Sequence, residues 1–262
     1  VSSHPHGVLS VLDVIAKSDN VGMAKLFTGL ASTHGIERAH AWLERYGFGQ
    51  KTGIRLPGEQ YGILPRPERW RMGTVITASF GHGLSVTPIQ MLFGHAAVAN
   101  EGVWMPPRLV DRIEAIDPQS AEIIVRRVTP VAEPRRVLSR AQANNIELAM
   151  ARVMTEGTGT RLRLTGYSSA GKTGTTDVRV DGQYLESGGP HIGSFVGWAP
   201  ADPQRPAEVA ALVLVNEPRT ADGQPARHPN YFGGRTGGPV VQRILQFACE
   251  DLALPPDRPE GR

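Results

Sequence analysis

The chain has 262 residues, 40% of them hydrophobic and 20% charged, with a net charge of +3. That is ordinary globular composition, enough chain for one large domain or two lobes around one core, and it excludes disorder of the whole. The basic residues are scattered apart from short pairs such as Arg126-Arg127 and Arg135-Arg136, so no nucleic-acid partner is expected, and no run of about 18 apolar residues exists to cross a bilayer.

Val8–Lys17 and Val21–Leu30 carry apolar residues at helical spacing, and Ile36–Tyr46 repeats the pattern before Gly47 stops it. A glycine- and proline-rich loop follows over 49–67. Thr87-Pro88 offers an N-cap with proline at the first helical position, predicting a helix to Ala99, and Ser139 caps another running to Thr155. Between them, Arg108–Ala115 and Ala121–Val128 read as modest strands about a turn at Asp117-Pro118. From Ser168 the character changes. Ser168–Val180, Ile192–Trp198 and Val209–Asn216 are rich in β-branched and aromatic residues, punctuated by Asp181-Gly182 and by turn residues over 200–206, which predicts an antiparallel meander. Gly237–Leu252 returns to helical spacing and would cover one sheet face, with the single cysteine, Cys249, as a buried thiol. The expected class is α+β: a mainly helical lobe over residues 1–157, a meander with its C-terminal helix over 158–254, and a frayed tail over 255–262.

Two short motifs carry chemistry. Ser18-Asp19-Asn20 sits between the first two predicted helices, and Lys172-Thr173-Gly174 lies in the first meander strand. Lysine-threonine-glycine occurs twice, but Lys51-Thr52-Gly53 falls in a loop and reads as structural, whereas Lys172 is followed by the strand formers Thr173, Thr175, Thr176 and Val178.

Ser-Asp-Asn paired with Lys-Thr-Gly is part of the signature shared by penicillin-binding proteins and class A β-lactamases. The likeness extends well beyond these six residues. Phe48-Gly49 through Leu56-Pro57-Gly58-Glu59, Ala78-Ser79-Phe80-Gly81-His82-Gly83 with Val86-Thr87-Pro88-Ile89-Gln90, Ala170–Thr176, Phe195–Pro200 and Tyr231–Gly234 resemble, in order, landmarks of class B penicillin-binding proteins. A class A β-lactamase fits less well, since the two motifs are farther apart than that compact enzyme allows and the Gly-His-Gly and Thr-Pro-Ile-Gln stretches do not belong to it. The resemblance implies the β-lactamase/transpeptidase-like fold and a D,D-transpeptidase that cross-links peptidoglycan stem peptides through an acyl-enzyme.

The roles follow by resemblance. Ser18 relays a proton to the departing amine, and Asn20 offers an amide to the substrate backbone and to a general-base lysine. Lys172 supplies positive charge that favours an ionised serine partner and attracts the substrate carboxylate, which the hydroxyls of Thr173 and Thr175 also bind. Gly174 keeps the strand edge clear for a substrate laid along it, and the Thr175 N–H forms half of an oxyanion hole. No cofactor or metal is implied. The implied partners are stem peptides, β-lactams and wall-synthesis proteins, with the parent anchored in the bacterial cytoplasmic membrane and this domain on its extracytoplasmic face.

One part of the family pattern is missing. The nucleophile should be the serine of a helical Ser-x-x-Lys some dozens of residues before Ser18, yet only seventeen residues precede it. The one formal match, Ser169-Ala170-Gly171-Lys172, overlaps the strand motif and holds a glycine where a helix is needed. Because Val1 is not methionine and 1–7 shows no processing signal, the chain is expected to be a fragment or processed piece that lacks the nucleophile segment, is inactive alone and exposes an unpaired sheet edge. A non-catalytic penicillin-recognition or sensor module is the alternative. A more distant one is a nucleotide hydrolase, since Gly166–Thr173 fits the phosphate-loop pattern letter for letter; the helix that must follow such a loop is not predicted. The eight histidines show no metal spacing backed by carboxylates. His82 reads as a turn residue, His191 as facing the groove without being catalytic, and Tyr231, Phe232 and Trp198 as packing residues.

Overall fold

Side-chain oxygens begin the helices where free backbone N–H groups need partners. Ser10 caps α1 (Val11–Ala16) and forms a capping box with Asp13, and Asp19 caps α2 (Asn20–His34) by accepting from Gly22 N–H at 2.6 Å. Helix α3 (Ile36–Arg45) ends at Tyr46-Gly47. Thr87 and Ser139 build capping boxes with Gln90 and Gln142 for α5 (Pro88–Ala99) and α6 (Arg140–Thr155). The computed structural model describes residues 7–130, 132–178 and 190–258. The expected turn at Asp181-Gly182 lies outside the described residues. Sequence periodicity did not mark α4 (Met72–Ala78), a helix of only seven residues, nor the two-residue pairing of β1 (Val103–Trp104) with β4 (Arg135–Arg136). A hairpin of β2 (Arg112–Ile116) and β3 (Ile123–Val128) turns at Asp117, whose carboxylate accepts from Gln119 N–H at 2.7 Å.

The three-stranded meander forms with β6 (His191–Ala199) between β5 (Ala170–Asp177) and β7 (Val209–Asn216), antiparallel throughout. Alternation along β6 sends successive side chains to opposite faces. Phe195 faces α7 (Gly237–Asp251) in a core with Val241, Leu245 and Cys249, while Trp198 joins Ala170 in a core with Ala97, Val98 and Ala143 from α5 and α6. The sheet is thus covered on both faces, and the second core joins residues from both of the stretches that sequence reading separated near 157. A third cluster of Ala31, Ala39, Trp70 and Val75 ties together α2, α3 and α4. Gln90 is 1% exposed and its amide is fully used, donating to the Gln50 and Tyr61 carbonyls and accepting from Thr87 N–H. That one side chain fastens the 49–64 loop to the start of α5. Among the described residues no helix is long and apolar enough to cross a membrane.

Within the tail expected to fray over 255–262, residues 255–258 are held in place. Tyr167 Oη donates to the Leu254 carbonyl, Arg258 N–H donates to the Gly166 carbonyl, and Asp257 accepts both the N–H and the hydroxyl of buried Ser168. Ser168 Oγ in turn accepts from Ala201 N–H at 2.8 Å. Proline reduces the entropy lost on docking a tail, and these polar contacts fix residues 254–258 beside the start of β5. Asp257→Asn, which replaces one acceptor oxygen with a donor, is expected to cost about 1–2 kcal/mol in a urea titration. An unchanged midpoint would show that the strap carries no stability.

Candidate functional site

Helix α1 stops at Lys17 because Ser18 adopts φ 55°, a left-handed conformation that turns the chain directly into the Asp19 cap of α2. Such a φ is uncommon for a residue with a Cβ, and here it is held by the Ser18 and Asp19 N–H groups donating to Ile15 and Val14 carbonyls. The serine therefore projects from an interhelical turn, at an exposed position. Helix α6 lies between α1 and β5, linked to α1 by the Arg152–Asp13 ion pair at 3.5 Å. Gly157, just beyond α6, approaches so closely that a Cβ there would collide with the Ala16 carbonyl. This packing sets the Ser18 turn against the middle of β5.

The consequence is one contact between residues 154 apart in sequence: Lys172 Nζ donates to Ser18 Oγ at 2.7 Å. The same ammonium donates to the Thr173 carbonyl at 2.8 Å. Burial pushes the Lys172 pKa down to about 8 from 10.5, because an ammonium with few water contacts is costly to keep charged. The resulting lysine is mostly protonated at neutral pH yet yields its proton more readily than an exposed one.

The other predicted residues lie on the same two segments, at the start of α2 and along β5. Asn20 opens α2 with its side chain exposed and without a hydrogen-bond partner among the described residues. Thr173 Oγ1 lies 3.0 Å from Thr158 Oγ1, and Thr175 Oγ1 accepts from Gly233 N–H at 3.4 Å. A Cβ on Gly174 would meet the cross-strand Ser194 Oγ at 2.5 Å, a contact that a turn of the serine hydroxyl would relieve. Thr158, at the hydroxyl of Thr173, is a candidate that sequence reading did not single out. Its only signal was its place in the Glu156–Thr160 segment rich in glycine and threonine, which reads as an ordinary helix-end loop until packing brings it to β5.

The rival motifs resolve structurally. Lys51-Thr52-Gly53 stays in a loop, where Glu59 accepts both the Thr52 N–H and its hydroxyl at 2.6 Å. Gly171, Lys172 and Thr173 are strand residues with no helix after them, so the Gly166–Thr173 stretch does not form a phosphate loop. Ser169 is buried at the entry to the same strand, and residues three apart on extended chain point to opposite faces. It cannot act with Lys172 as a helical Ser-x-x-Lys would. Among the described residues no group of three or more His, Cys, Asp or Glu side chains could hold a metal ion.

Comparison with known proteins gives concordant matches. The family model described as "Penicillin binding protein transpeptidase domain" matches residues 2–246. Stage V sporulation protein D of Bacillus subtilis (strain 168) is 36% identical over 251 residues, covering 96% of this chain and 36% of that protein. Peptidoglycan D,D-transpeptidase FtsI of Escherichia coli (strain K12) is 28% identical over 251 residues, covering 95% of this chain and 37% of that protein. The crystal structure of penicillin binding protein 3 from Mycobacterium tuberculosis, complexed with ampicillin, superposes with a TM-score of 0.78 at 29% identity, covering 99% of this chain and 55% of that one. The chain spans little more than a third of the length of the two curated relatives. With the family model matched over nearly its whole length and the same fold found in the solved relative, the chain belongs to the transpeptidase-domain family of class B penicillin-binding proteins.

Proposed function

We propose that this chain is the acyl-transfer domain of a longer peptidoglycan D,D-transpeptidase, in which the nucleophilic serine and its lysine base come from a Ser-x-x-Lys turn outside these residues. The observation that carries the reading is the Lys172–Ser18 contact, which joins both motifs into one site. Substrate would lie along the outer edge of β5, which has no strand partner among the described residues, and add to it as a strand. Attack by the serine on the D-alanyl-D-alanine amide forms a C–O bond and places negative charge on the carbonyl oxygen. Collapse of that intermediate breaks the C–N bond, and Ser18, held by Lys172, passes a proton to the departing amine. An acceptor amine of a second stem peptide then displaces the enzyme serine, completing the cross-link. Thr173 and Thr175 supply hydroxyls for the terminal carboxylate, the free Asn20 amide meets the substrate backbone, and the Thr175 N–H serves the oxyanion. β-Lactams enter the same site as acylating mimics of the stem peptide.

The open surface fits a domain completed from outside these residues. The outer edge of β7 has no strand partner among the described residues, and Val240, Ile244 and Phe247 form an exposed apolar stripe on α7, with Leu214 exposed on β7. Further strands and a helix of the parent would cover both. On this reading the isolated chain is inactive and poorly soluble. The parent acts on the extracytoplasmic face of the cytoplasmic membrane among wall-synthesis proteins.

Intact-mass measurement after incubation with benzylpenicillin tests this, comparing the isolated chain with the full-length parent. A single penicilloyl adduct on the parent alone is the expected result. An adduct on the isolated chain would overturn the external nucleophile, and none on either would favour a non-catalytic recognition module.

A further inference from the structure

At the far end of β5, His191 stands directly opposite Asp177 in the ladder, and its Nδ1 lies 2.8 Å from Asp177 Oδ1. The imidazole side chain is 17% exposed, and its ring lies flat against that of Tyr231, with centroids 3.8 Å apart at 14°. Tyr231 also meets His228 and Phe232 edge-on, at 6.1 Å and 5.1 Å. Tyr231 thus has aromatic neighbours on its face and its edges, an arrangement that fixes a ring better than apolar contact alone.

The backbone following Tyr231 is pressed onto the sheet. A Cβ at Gly233 would collide with the Ser194 and Gly174 carbonyl oxygens, and one at Gly193 would collide with Thr236 Oγ1 and the Tyr231 carbonyl. These close approaches bring Gly233 N–H to Thr175 Oγ1 at 3.4 Å. A hydroxyl that accepts an N–H keeps its own hydrogen free to donate elsewhere. The Gly233 N–H on this segment thereby biases the Thr175 hydroxyl hydrogen toward the side away from it.

We propose that His191 is a positioning residue for anion recognition: clamped by Asp177 and stacked on Tyr231, it holds the Tyr231–Gly233 segment on the sheet so that Thr175 presents its hydroxyl hydrogen to the substrate carboxylate. The inference rests on the acyl-transfer reading above, but a separate outcome can sink it alone. The test compares the second-order acylation rates of the full-length parent by benzylpenicillin and by its methyl ester, which lacks the anion. Acylation of the unmutated parent by the acid is the control for the reaction; its absence would overturn the acyl-transfer reading and this inference with it. His191→Ala is expected to slow acylation by the acid about tenfold and to leave the ester within about twofold, while His191→Phe, which keeps the stack, stays near the parent. Thr175→Val should lower the acid-to-ester ratio similarly, and adding His191→Ala to it should lower the ratio no further. Equal losses for acid and ester in His191→Ala, or additive losses in the double variant, would show a structural role only. Melting curves of each variant separate either outcome from misfolding.

Discussion

Lys172→Met in the full-length parent is expected to lower the second-order rate of β-lactam acylation by roughly a thousandfold or more, while raising the thermal stability of the fold. The loss follows from geometry. Met keeps the volume of the side chain but removes the positive charge and the donor that holds Ser18 Oγ. The gain follows from linkage. Burial brings the Lys172 pKa down to about 8 in the folded protein, against 10.5 for an ordinary lysine. Below about 8 both states carry the charge and the folded one bears the full cost of burying it. Between about 8 and 10.5 the unfolded chain binds more protons, so stability rises with pH across that window. Met should therefore raise the melting temperature by roughly 2–4 °C at neutral pH, with the advantage shrinking toward pH 10.5. Acylation by the unmutated parent should likewise weaken as pH rises through about 8, where the ammonium is lost. Stopped-flow acylation and melting curves across that range decide both; a Met variant that melts earlier than its parent at neutral pH would refute the burial argument.

Trp198→Ala is the substitution expected to damage the fold most. The indole is fully buried between β6 and α6, and its Nε1–H donates to Glu147 Oε1 at 3.0 Å. Removing the ring leaves a cavity beside Ala97, Ala143 and Ala170, worth about 3–5 kcal/mol in a large-to-small core change. It also strips Glu147 of its donor. Burial already raises the Glu147 pKa, so without Trp198 the carboxylate is left in a poorly solvated place with nothing to oppose that rise. A carboxyl whose folded pKa is raised weakens the fold as pH climbs through that pKa. The deficit of Trp198→Ala should accordingly be smaller at mildly acidic pH than at neutral pH. Glu147→Gln in the Trp198→Ala background should recover part of the loss at neutral pH, read as a shift of the urea midpoint. Failure to recover any of it would place the whole effect in the cavity.

Much of the architecture could be read from residues close together along the chain. The caps at Thr87 and Ser139 marked the starts of α5 and α6, and the β-branched runs marked β5, β6 and β7, because each such signal lies within a few residues of the element it begins. The same locality explains the misses. The seven residues of α4 give too short a period to stand out, and nothing within residues 254–258 announces the Ser168 hydroxyl that anchors them.

The two motifs behaved in the same way. Residue types and their order along the chain put forward Ser18, Asn20 and Lys172 as candidates and set aside the first Lys-Thr-Gly. They could not say that Ser18 Oγ and Lys172 Nζ touch, that Thr158 joins Thr173, or that His191 stacks on Tyr231. Those contacts join segments separated by 154, 15 and 40 positions, counting 231 minus 191 for the last. A covalent chain constrains its near neighbours strongly and its distant ones hardly at all. Only the packing of α6 between α1 and β5, and of the Tyr231–Gly233 backbone onto two glycine-bearing strands, brings them within hydrogen-bonding or stacking reach.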